Sequence, residues 1–381
     1  MKLKEMKLLL LFISLSIVSA KSNNLQIYIF KVGHADAQLV LFPSGYSILI
    51  DAGEPGDATG EAGSNGKYLA KRLETILGHK TIDVFVLTHY HWDHHGTVGT
   101  GGIWYLIEKK GFVIRKFITR NIGTYTGSKL ADCNKESFTW KIIGEAAIIP
   151  FTCYANSITD KTKLSKVRQL AQKCSTTQIA PPDSGSVVQI LTRDALGIKD
   201  VNGKPLARNS MNEDIPISEN VFSICMKITF GTFVYSTCGD MTGKNYVSAD
   251  GTHTYHDVES TVANYMGEVD VMRVNHHGVD DTTNSLWTNT LKPTVAVVSR
   301  GSIWNCPDDS VMNNLKKIGC ILYSVNECDE FDNSSTFIKF DDDVVIIVPE
   351  NGSTYTVMDS VGGRKATYNI KPNKAAAKDC A

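Results

Sequence analysis

The chain has 381 residues, 42% hydrophobic and 21% charged, with a formal net charge of −1. That composition supplies a real core for one large domain or two modest ones. It excludes a global field that would recruit nucleic acid or an anionic membrane, so any polyanion has to be held locally.

Residues 1–20 read as a leader. Lys2, Lys4 and Lys7 form a basic start, Leu8 to Val18 is apolar, and Val18-Ser19-Ala20 offers a cleavage site. The apolar run is short of the roughly 20 residues a membrane span needs. A cleaved secretory signal is expected, with an uncleaved anchor as the alternative. No later stretch reads as transmembrane, so the expected location is secreted or extracytoplasmic.

Strands are predicted at 25–33, 37–42 and 46–53, each rich in Ile, Leu, Val and aromatics between Gly or Pro breaks. A helix follows over 63–80, with Gly78 as its stop. The apolar run 81–89 is a strand that delivers a histidine-rich stretch. A helix over 103–111 and a strand over 112–119 continue the alternation, which argues an α/β layered fold. Residues 121–184 break the rhythm and are treated as an insertion ending in Pro181-Pro182. The pattern resumes with strands at 186–191, 221–230 and 232–240, a helix near 257–267, and strands at 269–278 and 294–299. A helix near 308–318 and strands to about 358 complete it. The domain is thus expected over 21–361, with a flexible Lys- and Ala-rich tail over 362–381.

The chain has nine cysteines and no C-x-x-C pair, which argues against a zinc ribbon. In an oxidising compartment several should pair. Cys133, Cys153 and Cys174 cluster in the insertion, where at least one staple is expected. Asn333 and Asn351 begin glycosylation sequons.

The chemistry concentrates at three predicted strand ends: residues 89–95, Gly239-Asp240, and Asn275-His276-His277-Gly278. In α/β architectures ligands gather outside the carboxyl ends of strands. "THYHWDHHG" (88–96) holds four of the chain's ten histidines. His89 and His91 lie on a strand-to-loop turn, and Asp93 and His94 open the next helix. Imidazole and carboxylate together suit zinc, and also manganese or iron. Each of the pairs His89/His91 and Asp93/His94 can begin one metal site, Asp240 can bridge the two, and a histidine from 276–277 can close the second. His95 reads as a neighbour rather than a ligand.

"THYHWDHHG" resembles the H-x-H-x-D-H signature of the metallo-β-lactamase superfamily, "STCGD" its later Gly-Asp element and "VNHHG" its last histidine element. The order "VGHADAQLV", "SILIDAG", "VNHHG" is most similar to the hydrolase domain attached to bacterial competence DNA-uptake channels. The resemblance implies a four-layer αββα sandwich with two metals at one edge. It implies that His89 and His91 bind the first metal, Asp93 and His94 the second, with Asp240 bridging and His276 completing the second site in preference to His277. Asp36 and Asp51 take the places of supporting aspartates that orient ligand histidines. A plain turn role for Asp51 before Gly53 is the alternative.

Two features depart from the family. Its first metal usually takes a third histidine from a middle loop, but here the next histidine after His95 is His253. Water, His253 or His256 would have to complete that site. The branch also tends to show Gly-His-Pro where this chain has Asn305-Cys306-Pro307.

With no nucleophile elbow, P-loop or dinucleotide fingerprint, hydrolysis by a metal-activated water is expected. One or two divalent ions are implied, zinc first and manganese second, with Asp93 and Asp240 able to take the water's proton. The resemblance points to phosphodiesters, including nucleic acid. The basic run 160–174, read as a helix beside the pocket, and Arg300 are candidate phosphate contacts, with a plain solvated helix face as the alternative for the run. Small esters, lactones or β-lactams, or a non-catalytic binding role, are the alternatives. The oligomeric state is not legible.

Overall fold

The computed structural model describes residues 23–53, 64–122, 148, 151–152, 155, 164–206, 214–300, 307–325, 336–340 and 342–380. The leader-like segment, Cys133, Cys153, Cys306, Cys328 and the Asn333 sequon lie outside these residues. Among the described residues no helix is long and apolar enough to cross a membrane.

Two mixed sheets carry the fold. The first has nine strands, in the order Lys365–Asn369, Thr354–Asp359, Val344–Pro349, Asn24–Ile29, Gln38–Leu41, Ser47–Ile50, Val84–Val86, Phe117–Thr119, Arg168–Leu170. The second has seven: Phe337–Lys339, Ile321–Ser324, Val295–Val298, Val271–Arg273, Phe233–Thr237, Cys225–Phe230, Ser186–Thr192. Leu25, Ile27 and Ile48 of the first sheet share one core with Ile228, Tyr235 and Val297 of the second. Strand Asn24–Ile29 alternates buried and half-buried residues, whereas Val295–Val298 is buried throughout, as expected for a parallel strand covered on both faces.

Helices close the outer faces. Leu69 and Leu73 of Ser64–Leu77 pack with Leu39, Leu49, Phe85 and Phe117. Their i,i+4 spacing puts them on one helix face, and Gly78, at φ 70°, ends the helix in the left-handed conformation glycine favours. On the other side, Val262 and Met266 of Glu259–Met266, Leu291 of Ser285–Leu291 and Leu315 of Asp309–Lys317 cover Met272, Ala296 and Leu322. The layers run helix, sheet, sheet, helix, which is the expected αββα sandwich.

Several expectations are corrected. The basic run does not form one helix. A short helix, Leu164–Val167, gives way to Arg168–Leu170, which joins the sheet edge in parallel with Phe117–Thr119. Cys174 bonds to Cys380 and Cys225 to Cys238, while the other two candidates for the staple expected in the insertion, Cys133 and Cys153, lie outside the described residues. Cys320 is a buried free thiol. The tail expected to be loose forms strand Lys365–Asn369, antiparallel to Thr354–Asp359, and then runs on to that disulfide. The predicted strand 221–230 begins at Cys225, because Glu219–Phe222 is a 3-10 turn capped by Ser218.

Candidate metal centre

Both sheets contain a parallel half, and the polar residues follow its strand ends. Asp51 follows Ser47–Ile50, and His89 follows Val84–Val86. Asp240 follows Phe233–Thr237, and His276 and His277 follow Val271–Arg273. The carboxyl ends of parallel strands from two facing sheets thus open onto one rim. The sheets meet there closely. Ile224 N donates to Thr88 O at 3.0 Å, and a Cβ on Gly239, which sits at φ 55°, would lie 2.5 Å from Thr88 Oγ1. Only glycine lets the Asp240 turn approach the His89 turn so nearly.

Two groups of donor atoms form at this rim. One is Asp93, His94, Asp240 and His277; the other is His89, His91 and Asp240; within each, the atoms lie within 4.8 Å of one another. Asp240 belongs to both. The group containing Asp93 and His94 therefore holds His277, where His276 was expected. His276 instead sits with Nε2 3.9 Å from Asp240 Oδ2 and 3.0 Å from Asn220 Nδ2.

The hydrogen bonds fix which ring nitrogens face inward. His94 Nδ1 lies 2.8 Å from Asp51 Oδ2, a carboxylate that only accepts, so Nδ1 carries the hydrogen. His94 Nε2 is left buried without a hydrogen-bond partner, 3.1 Å from Asp240 Oδ2. His277 Nδ1–H likewise donates to Ser299 O at 2.6 Å, and its Nε2 faces Asp93 Oδ2 at 3.1 Å and Asp240 Oδ2 at 3.6 Å. Thr88 donates its hydroxyl hydrogen to Asp51 Oδ2, so it can accept from His89 Nδ1–H at 3.1 Å. His89 Nε2 then meets His91 Nδ1 at 2.9 Å, close enough that a proton or a cation must lie between two lone pairs.

The electrostatics ask for positive charge. Burial opposes ionisation of Asp93 and Asp240, yet His94 and His277 hold both carboxyls well below the ordinary range. Burial also disfavours charge on His94, but Asp240, Asp51 and Asp93 hold it well above the ordinary value. Against the same penalty, Asp281 and Asp240 lift His276 to about 9. Burial, then His94, holds His89 well below the ordinary value. The carboxylates thus draw protons onto their neighbouring rings, and a divalent cation among the same atoms would supply that charge instead. Nitrogen and carboxylate donors in this number fit zinc or manganese.

A supporting layer surrounds the donors. Asp51 accepts from His94 and from Thr88 N and Oγ1, its backbone at φ 56°, so its orienting and turn roles coincide. Asp36 does not touch a histidine. Its Oδ2 lies 3.1 Å from Arg273 Nη2, and its N–H donates to Asp93 O. Arg273, fully buried, also donates to Gly239 O at 2.7 Å and lies 3.6 Å from Asp240 Oδ1. A third cluster, Asp36, Asp51 and His94, is thereby already occupied by Arg273 and the His94 proton.

Glu219 accepts from Tyr90 N, between His89 and His91, and is clamped by Arg120. Arg300 Nη1 donates to the carbonyls of His277 and Gly278, at 3.2 and 3.0 Å. His95 donates from Nδ1 to Gly96 O and packs on Phe151. His95, His253 and His256 are all outside both donor groups.

Sequence reasoning missed several of these residues. Arg273 is a charge inside the apolar run "VDVMRV", a readable signal. His34, whose ring lies 4.6 Å from that of His277 and is held near neutrality by burial, stands two residues before Asp36. Glu219, Asn220 and Asp281 carry no local signature.

No protein-family model matches the chain, and no curated protein does. Among solved structures it is similar to a candidate metal-dependent hydrolase from Parabacteroides distasonis, at 12% identity and TM-score 0.38 over 80% of this chain and 96% of that one. It is similar to a Cronobacter sakazakii metallo-β-lactamase in mutant form, at 15% identity and TM-score 0.32 over 65% and 70%. It is similar to unliganded yeast PDE1, at 9% identity and TM-score 0.35 over 80% and 89%. Likeness this distant carries nothing about chemistry, which rests on the geometry above.

Proposed function

We propose that this protein is a metal-dependent hydrolase of phosphodiesters, acting outside the cytoplasm. The observation that carries the reading is the convergence of two donor groups on one carboxylate, with Nε2 of His94, His277 and His89 at 3.1, 3.6 and 3.8 Å from Asp240 Oδ2. Asp93, His94, Asp240 and His277 would hold one divalent ion, and His89, His91 and Asp240 the other. When bound, such an ion supplies a water acidified to a pKa of about 7.

The chain's own residues do the rest. Asp240, 2% exposed and held by Arg273, would serve both ions. Asp93, 21% exposed, is the carboxylate that reaches the opening and can take a proton from an attacking water. Two cation positions sharing one carboxylate suit the attacking and leaving oxygens of a displacement at phosphorus. The motif resemblance to the DNA-uptake branch of the metallo-β-lactamase superfamily points the same way. The leader-like first twenty residues and the disulfides Cys174–Cys380 and Cys225–Cys238 favour an oxidising, extracytoplasmic compartment.

Purified full-length protein, loaded with Zn²⁺ or Mn²⁺, is assayed against a chromogenic phosphodiester, plasmid DNA, a lactone and a β-lactam reporter. Phosphodiester cleavage is expected, reduced about 100-fold or more by Asp93→Asn. Cleavage confined to the lactone or β-lactam reporter would reassign the substrate. Undiminished activity in Asp93→Asn would end the metal mechanism.

A further inference from the structure

We infer that His276 is the missing ligand of the first metal position, so that the two adjacent histidines serve two different ions. The assignment rests on the proposed function. It departs from both sequence expectations: that His276 closes the second site, and that water, His253 or His256 completes the first.

The second group already has four donors and the first only three; His276 is in neither, and its link to the first is the Asp240 carboxylate that both share, 3.9 Å from its Nε2. Its Nδ1–H donates to Asp281 Oδ1 at 2.8 Å, an obligate acceptor, so the neutral ring carries its lone pair on Nε2. That is the arrangement of His94 on Asp51 and of His277 on Ser299 O. A ring anchored through one nitrogen and presenting the other is how histidines are held for metals. His94, His277, His89 and His276 bring Nε2 to 3.1, 3.6, 3.8 and 3.9 Å from the same atom, Asp240 Oδ2. His277 approaches on the side of Asp93. His276 Nε2 instead meets Asn220 Nδ2 at 3.0 Å.

The backbone makes this division possible. In a strand, consecutive side chains point to opposite faces. Here His276 and His277 both adopt left-handed conformations, at φ 43° and φ 51°, and their rings lie 6.5 Å apart. Two successive non-glycine residues in that region are disfavoured and persist only where the surroundings impose them. The impositions are visible: His276 N donates to Gly239 O, and both Nδ1 atoms are anchored. Asn220, 2% exposed, packs against the His276 ring. Its Nδ2 lies 3.0 Å from His276 Nε2, and its Oδ1 is buried without a hydrogen-bond partner.

The test is metal titration of the full-length chain, stripped with a chelator and then given Co²⁺, with stoichiometry and affinity as the readout. Wild type is expected to take two ions, and Asp93→Asn one. In the Asp93→Asn background, His276→Gln should weaken the remaining ion at least 10-fold, whereas His277→Gln should change it less than 3-fold. Equal losses in the two arms, or a larger loss with His277→Gln, overturn the assignment while leaving the metal reading intact. A wild type that takes up no ion overturns both. Because the two substitutions sit in the same turn, a general collapse of the turn registers as equal losses.

Discussion

At the scale of single residues, the centre depends on carboxylates that each do two jobs. Asp240 Oδ2 is shared by both donor groups, while Oδ1 faces Arg273. Asp51 fixes the His94 tautomer through Oδ2 and holds Thr88, which in turn receives His89. Asp51→Asn isolates the charge. Asparagine tolerates the left-handed backbone at this position, but its amide nitrogen cannot accept from Thr88 or His94. Metal affinity is expected to fall about 10–100-fold while the fold persists, read by metal titration beside circular dichroism. Unchanged affinity would show that the His94 tautomer does not need Asp51.

At the scale of elements, the parallel strands place the donors and the turn 275–278 aims two of them. That turn is held by Glu259, the first residue of helix Glu259–Met266. Its carboxyl group accepts from Asn275 Nδ2 and Thr283 N at 2.7 Å and from Asn284 N at 2.8 Å. Burial nonetheless pushes Glu259 up to about 8 from an ordinary 4.5. The native chain therefore keeps a proton that the unfolded chain releases above pH 4.5. Stability from this group is full below that value and is lost as pH rises towards 8, at about 1.4 kcal/mol per pH unit. Chemical denaturation at about pH 5 and about pH 8 should show this decline in wild type and a flatter profile in Glu259→Gln. Parallel profiles would mean that Glu259 is ionised in the fold.

At the scale of the whole molecule, the C-terminal segment straps the two halves together. It pairs as a strand at the edge of the first sheet, then crosses to the second. There Lys371 N and Lys374 Nζ meet the buried Asp270, Lys378 N donates to Asn264 O, and Cys380 bonds to Cys174. The cross-link spans 206 residues, a closure whose loss of unfolded-state entropy is on the order of 5 kcal/mol, with 2–4 kcal/mol typical of measurement. Cys174→Ser with Cys380→Ser should lower the unfolding free energy by about 2–5 kcal/mol without removing the metal centre. Urea midpoints under non-reducing conditions check this; an unchanged midpoint would make the strap dispensable.

Sequence alone determined the layered α/β alternation, because apolar periodicity and Gly or Pro breaks are local properties. It likewise marked His89, His91, Asp93 and His94, because their crowding is visible in one dimension, and Asp240, because it ends a separate apolar run. Tertiary structure decided what spacing cannot express. His276 and His277 are indistinguishable in sequence, and only the left-handed turn sends one towards Asp93 and the other towards Asn220. Asp36 read as a partner of a histidine, but the buried Arg273 from a strand more than 200 residues away takes it instead. The basic run read as one helix, but pairing with Phe117–Thr119 drew part of it into the sheet, since an open edge supplies backbone partners that local propensity does not foresee. Partners distant in sequence set the direction of each side chain, and direction decides which donors can share an ion.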